Sequence, residues 1–399
     1  MNAVFPVYEI GSLPKLPARV KALSTIGTVT EEDIKAISEW GRVAQIETTQ
    51  AIDVLRKRVH GKIVTPEDRA ALIDFNALLN IMLQQQAGLD FVYDGETRRI
   101  EMYEHIARQV AGFEALQEPL RSRGPDSWRA FICKAEPRLK SQLEELPIVR
   151  EFQFASACAD VPLKVPVDDP YMIANMTINE YYKEEVQQDH ANDPRGSRYE
   201  AKRALTLALA KNIIRPQVEA VIRQGARWIQ LDIPSATIDL EHIPIMVEGI
   251  NTVVEGLDGV KLSLHICYPK RRTLTDRQGY ELLFPHILSL DRKVDHISLE
   301  LANADQYEQD LAPFARYQAE RRFEIGLGVV DITLERQQRG IMETPEIVRD
   351  RILTAAKVLK DPALVYVAPD CGLRQVSLER SLQLYNVIVA GAALARDAI

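Results

Sequence analysis

The chain has 399 residues, 46% of them hydrophobic and 27% charged, with a formal net charge of -8. That length accommodates two average domains or one large α/β barrel, and the composition is that of an ordinary soluble globular protein. The negative balance leaves no broad basic surface for nucleic acid, and the lack of any uncharged apolar run of about eighteen residues argues against a membrane span.

The amino terminus, Met1-Asn2-Ala3-Val4-Phe5-Pro6, does not follow the basic-then-apolar pattern of a secretion signal. Val7–Ile10 predicts a first strand, and the periodicity over 31–60 and 67–88 predicts helices. Phe91–Asp94 predicts a second strand. Residues 113–160 are irregular: the turn cluster Arg121-Ser122-Arg123-Gly124-Pro125-Asp126 precedes the apolar Phe131-Ile132-Cys133, which predicts an inserted hairpin or lobe. Pro162–Val165 predicts the third strand, polar residues 186–198 a surface loop, and 198–224 a helix. The strands Trp228–Asp232, Lys261–Cys267, Asp295–Glu300, Phe323–Asp331 and Leu364–Pro369 follow. Helical patterns over 242–256, 276–290, 304–319 and 344–359 separate them, and one over 376–396 ends the chain. Strands that alternate with helices pair in parallel. Eight of them in a chain of this size predict a (β/α)8 TIM barrel, a single domain over 1–399 with an inserted lobe near 113–160. An open doubly wound sheet is the alternative.

Barrel enzymes carry their chemistry at the carboxyl ends of the strands. Here those ends read Gly11-Ser12, Gly95-Glu96, Asp232, His265 with Cys267, Glu300, Asp331 and Asp370-Cys371, whereas the strand interiors are Val, Ile and Leu. Residues two apart on a strand face the same way, so His265 and Cys267 address one site. Taken singly, such residues are ordinary: a hydrogen-bonded core histidine, a small buried thiol, a carboxylate paired with an arginine. Together, His265, Cys267, Glu300 and Cys371 make a four-ligand zinc set. Cys133 and Cys158 have no ligand neighbours in the sequence, and four cysteines in so long a chain do not make a disulfide scaffold. A reducing cytoplasm, where thiols stay free for metal, is the expected compartment.

Ligands spread over three strands point to a catalytic rather than a closed structural ion. Two thiolates and a carboxylate make Zn2+ a poor activator of water but suit it to binding a substrate thiol as thiolate. Other motifs are weak. Gly326-Leu327-Gly328 is a fragment of a dinucleotide fingerprint, and the pairs Arg98-Arg99 and Arg271-Arg272 are expected to be solvated.

The motifs Ile10-Gly11-Ser12-Leu13-Pro14, Asp94-Gly95-Glu96, Gln230-Leu231-Asp232-Ile233-Pro234, His265-Ile266-Cys267-Tyr268, Ser298-Leu299-Glu300, Gly326 to Asp331 and Pro369-Asp370-Cys371-Gly372-Leu373 resemble the catalytic half of the cobalamin-independent methionine synthase family. The resemblance covers nearly the whole chain, without the additional amino-terminal barrel of the long members. It implies zinc on His265, Cys267, Glu300 and Cys371. It also implies homocysteine against the backbone of Ile10, Gly11 and Ser12, with Glu96 and Asp232 on its ammonium group. Three departures bear on the methyl donor. Asp232-Ile233-Pro234 stands for the family's Asp-Glu-Pro. Asp331-Ile332-Thr333-Leu334 stands for a stretch whose histidine protonates the folate leaving group. Asp168-Asp169-Pro170 stands for Thr-Gly-Pro, with Met176 near the place of a pterin-stacking tryptophan. Threonine does not shuttle protons near neutral pH. The expected donor is therefore methylcobalamin or a corrinoid protein rather than methyltetrahydrofolate. The alternatives are alkyl transfer to another thiol such as coenzyme M, and a non-catalytic zinc- or thiol-binding protein.

Overall fold

Six of the apolar runs pair as one parallel sheet, in the order Val365–Ala368, Glu324–Gly328, Val294–Leu299, Lys261–Ile266, Trp228–Ile233 and Val165–Asp168. The structure, a computed structural model, describes residues 4–24, 27–99, 101–117, 120–121, 127–184, 194–234, 240–268, 279–302, 307–333, 340 and 342–399. The remaining two runs shorten to parallel bridges: Val7 with Val367, Tyr8 with Phe91, and Val92 with Leu163, just ahead of Val165. Tyr8 N–H donates to Val367 O at 3.0 Å and Lys164 N–H to Val92 O at 3.2 Å, so the hydrogen-bonded circuit returns on itself. The eight expected strands thus make the expected barrel, with two of them reduced to the minimum that closes it.

The helices lie outside and are set by local chemistry. Capping boxes at Thr30 with Asp33 and at Thr65 with Asp68 start Glu31–Ala44 and Pro66–Ala87. The single helix expected over 31–60 is two, Glu31–Ala44 and Thr49–Val59, because Gln45 turns left-handed at φ 58 and stops the first. The helix expected over 198–224 begins earlier, at Pro194, and passes through a π turn at Ala210–Ile214. There Pro216 has no N–H to give the preceding turn. The expected loop 186–198 therefore ends sooner, and its residues 186–193 lie outside the described ones. Over 276–290, the described residues form two 3-10 turns, Gly279–Leu283 and His286–Ser289, separated by Pro285.

The expected insertion is a hairpin, Val110–Ala115 antiparallel to Phe131–Leu139, but it does not extend to residue 160. Pro147–Cys158 is a helix that buries Ile148, Val149 and Phe152 and packs against Pro66–Ala87 and Arg215–Arg223. The barrel interior is more polar than the apolar runs suggest. Tyr8, Ile10 and Trp228 form one buried cluster, Tyr8 Oη lies 2.6 Å from Ser298 Oγ, and Trp228 Nε1 donates to Ser263 Oγ at 2.8 Å. Gly326 clears space for Tyr8, whose Oη would be 1.8 Å from a Cβ there, and Gly328 clears space for Asp370 Oδ1 at 2.2 Å. The Gly-Leu-Gly run is packing chemistry. Among the described residues, no helix is long and apolar enough to cross a membrane.

Candidate metal centre

Parallel register sets Asp168, Asp232, His265 and Ser298 side by side at the carboxyl ends of four adjacent strands. The ligating atoms of His265, Cys267, Glu300 and Cys371 all lie within 4.8 Å of one another. Cys267 Sγ is 3.8 Å from Cys371 Sγ and 3.5 Å from His265 Nε2. Sulfurs at about 2.3 Å and a nitrogen at about 2.0 Å from one tetrahedral zinc would stand about 3.8 Å and about 3.5 Å apart. The residues present fit the ion.

Two side chains hold this geometry in place. Tyr280 Oη accepts from Glu300 N–H at 2.9 Å and donates to Ile266 O at 3.0 Å, tying the start of the Glu300 turn to the end of the His265 strand. Asp370 Oδ1 accepts from Leu301 N–H at 2.9 Å and Ala302 N–H at 2.8 Å, which fixes Cys371 against Glu300. Burial, helped by the Lys164 charge, pushes the His265 pKa down to about 3, so its imidazole is neutral and free to donate a lone pair. The Cys371 thiol, burial and the Glu300 carboxylate push the Cys267 thiol well above its ordinary range. A divalent cation reverses that balance, because it ionises the thiols it binds.

Beside the cluster, the Ile10-Gly11-Ser12 segment is wedged between two contacts. A Cβ on Gly11 would lie 2.4 Å from Glu96 Oε1, and a Cβ on Gly372 would lie 2.4 Å from Ser12 Oγ and 3.0 Å from Ser12 N. Only glycines let the segment sit this close to Glu96 and to the chain just after Cys371. Gly95 and Glu96 are both left-handed, at φ 79 and φ 55, an uncommon state for glutamate. Glu96 N–H donates to Asp94 Oδ1 at 2.8 Å, and Arg99 stands 3.6 Å from Glu96 Oε2. Burial raises the Glu96 pKa against the pull of Arg99. Burial and the Glu96 charge push Asp232 up to about 7. Ile10, Gly11, Ser12, Glu96 and Asp232 are thus brought together next to the four candidate ligands.

The sequence motifs contain Gln230 and Asp168 without giving either a part in the acceptor's place, and they do not single out Lys164, whose signal is a charge inside an apolar strand. Lys164 and Gln230 lie buried beneath Asp232, and Asp168 is buried beside it. Tyr280 left no signal. The Arg98-Arg99 pair is not solvated as expected. Arg99 is 4% exposed and donates to Glu151 Oε1 at 2.7 Å, while Arg98 pairs with Asp74 and Asp94. Arg271 and Arg272 lie outside the described residues. Cys133 is buried and donates to Ala135 O at 3.4 Å, away from any described ligand cluster. Asp169 caps the Pro170–Met176 helix, and Thr333 N–H donates to Asp331 Oδ1 at 2.8 Å.

Comparison with known proteins agrees with this arrangement. The family described as cobalamin-independent synthase, catalytic domain, matches residues 197–393. The methionine synthase of Sulfurisphaera tokodaii is 30% identical over 86% of this chain and 88% of its own length. That of Pyrococcus horikoshii is 30% identical over 97% and 90%. The B12-independent methionine synthase of Shewanella sp. W3-18-1, solved with selenomethionine, superposes with a TM-score of 0.72 at 20% identity over 99% of both chains. With 30% identity sustained over 86% and 97% of its length and a family match over 197–393, the chain belongs to the cobalamin-independent methionine synthase family and is an enzyme of its methyltransferase kind.

Proposed function

We propose that this enzyme methylates the thiol of homocysteine to form methionine, at a zinc ion held by His265, Cys267, Glu300 and Cys371. One observation carries the reading: four donor atoms from distant parts of the chain lie within 4.8 Å, with spacings that suit a tetrahedral ion. When bound, zinc supplies the positive charge that keeps an acceptor sulfur as thiolate at neutral pH. Ile10, Gly11 and Ser12 line the acceptor's place, and Glu96 and Asp232 meet its ammonium group. The same two carboxylates repel a sulfonate, which disfavours coenzyme M. Free thiols at Cys267 and Cys371 suit a reducing compartment such as the cytoplasm.

The donor follows from the leaving group. A folate amine leaves as its nitrogen gains a proton, and Thr333 is no proton shuttle near neutral pH. A methylcorrinoid leaves without a proton, so the residues favour methylcobalamin or a corrinoid protein. The family's cobalamin-independent description favours methyltetrahydrofolate. Titration calorimetry with homocysteine, with and without zinc, tests the acceptor: binding is expected only to the zinc-loaded protein, and its absence there overturns the reading. Turnover measured side by side with methylcobalamin and methyltetrahydrofolate tests the donor, and efficient folate turnover overturns the corrinoid assignment.

A further inference from the structure

Under the pocket, two buried polar side chains make a closed triangle. Lys164 is 1% exposed and Gln230 0%. Lys164 Nζ donates to Ile10 O at 2.6 Å and to Gln230 Oε1 at 2.8 Å. Gln230 Nε2 donates to the same Ile10 O at 2.7 Å and to Asp232 Oδ1 at 2.7 Å. An ammonium group donates only, so Lys164 dictates which end of the Gln230 amide is oxygen and leaves both amide hydrogens for the other two contacts. The Tyr8 ring lies 5.2 Å from Nζ. Asp232 and Glu96 oppose the Lys164 charge through space, Asp232 most strongly.

A lysine inside a barrel carries a desolvation cost that an apolar side chain of similar size avoids, so stability alone is a poor reason for it. What the triangle does accomplish is specific. It ties the Ile10 main chain to the Asp232 carboxylate, so that the segment leading into Gly11 and Ser12 and the end of the Trp228–Ile233 strand are held in one fixed arrangement. Gln230 occupies Asp232 Oδ1, and among the described residues no hydrogen bond takes Oδ2, which is left for an incoming cation. We infer that Lys164 and Gln230 are positioning residues for the ammonium group of the acceptor amino acid, acting through Asp232 and the Ile10 carbonyl. This rests on the homocysteine reading above.

The test compares homocysteine with 4-mercaptobutyrate, the same thiol acid without its amino group, by calorimetry on the zinc-loaded protein. The wild type is expected to prefer homocysteine clearly. Gln230→Glu puts an acceptor where Asp232 needs a donor, and Lys164→Met removes the cation that orients the amide. In each, homocysteine affinity is expected to fall at least about tenfold, as for a lost hydrogen bond to a charged group. Affinity for 4-mercaptobutyrate and zinc content should stay within about twofold, so the preference collapses. A purely structural role would weaken both thiols alike or shed the metal. Gln230→Met is read in the same way, so the result does not depend on one variant folding. A preference unchanged in folded, zinc-loaded variants overturns the inference. A wild type that binds both thiols equally also overturns it. A wild type that binds neither overturns the acceptor reading as well, and that result is visible before any variant is made.

Discussion

The two sulfurs stand 3.8 Å apart, so removing one leaves three ligands and a gap on the same side of the site. Cys371→Ser replaces a soft thiolate by a hydroxyl that is a poor zinc ligand at neutral pH. Bound zinc, measured by elemental analysis after dialysis, is expected to fall from about one ion per chain to a small fraction of that. Because Cys371 is only half-buried, the melting temperature of the metal-free protein should change little. Full zinc retention in this variant would remove Cys371 from the ligand set. Gly11→Ala tests the neighbouring pocket. Its new methyl group would stand 2.4 Å from Glu96 Oε1, and Glu96 is held by an unusual backbone conformation and by Arg99, so it yields only at a cost. Overpacking of this kind costs about 1–3 kcal/mol, which predicts homocysteine binding weakened by about tenfold to a hundredfold with zinc content unchanged. Equal affinity by calorimetry would show that Glu96 moves freely and does not define the pocket.

Tyr280 belongs to a short 3-10 turn, yet it joins the ends of two barrel strands. Tyr280→Phe leaves the Glu300 N–H without its oxygen partner, and a buried unsatisfied group costs about 1–3 kcal/mol. Urea unfolding should show that loss, and competition with a chelator should show zinc affinity reduced by about tenfold or more, the usual effect of losing a group that orients a ligand. Unchanged zinc affinity would mean that Glu300 does not depend on this turn, or is not a ligand. That turn shows where sequence reading stops. The eight strands were legible because their apolar runs end in polar residues, and the ligand set was legible because its members occupy those ends. Residues 276–290 were expected to be a helix, and nothing local announces that a tyrosine there reaches Ile266 and Glu300. Arg99 is similar: its partner Glu151 lies 52 residues away on the Pro147–Cys158 helix, and only the folded chain turns a surface-looking pair into a buried one. The polar barrel interior was hidden for a further reason. A strand buried on both faces has no alternation to mark which residues point inward, so Lys164 and Gln230 looked like minor breaks in apolar runs.

At the scale of the molecule, the barrel gathers carboxyl groups at one end and keeps them from water, which ties stability to pH. Burial raises Glu9 and Asp169 to about 7 and Asp94 to about 8. These groups carry a proton in the folded state at pH values where the unfolded chain has lost it. The resulting stability is full below the unfolded values near 4, and is lost as pH rises through the folded values of about 7 to about 8. Imidazoles work in the opposite sense, since burial lowers His105 and His296 to about 4, but they are largely neutral in both states above about pH 7. Lys15 and Lys164, lowered by burial to about 8, begin to oppose the loss as pH approaches 8, because the folded chain releases protons that the unfolded one still holds, and this offsets part of the carboxyl contribution. Between about pH 7 and 8 the carboxyl groups therefore decide the slope. Urea unfolding of the metal-free protein, which removes the separate pH dependence of metal binding, should show the free energy of unfolding falling by about 1–2 kcal/mol over that interval. A Glu9→Gln variant should show a shallower fall, because its amide has no proton to lose. A flat or rising profile over the same interval would mean that these carboxylates are ionised in the folded barrel, balanced by Lys164, Arg98 and Arg99.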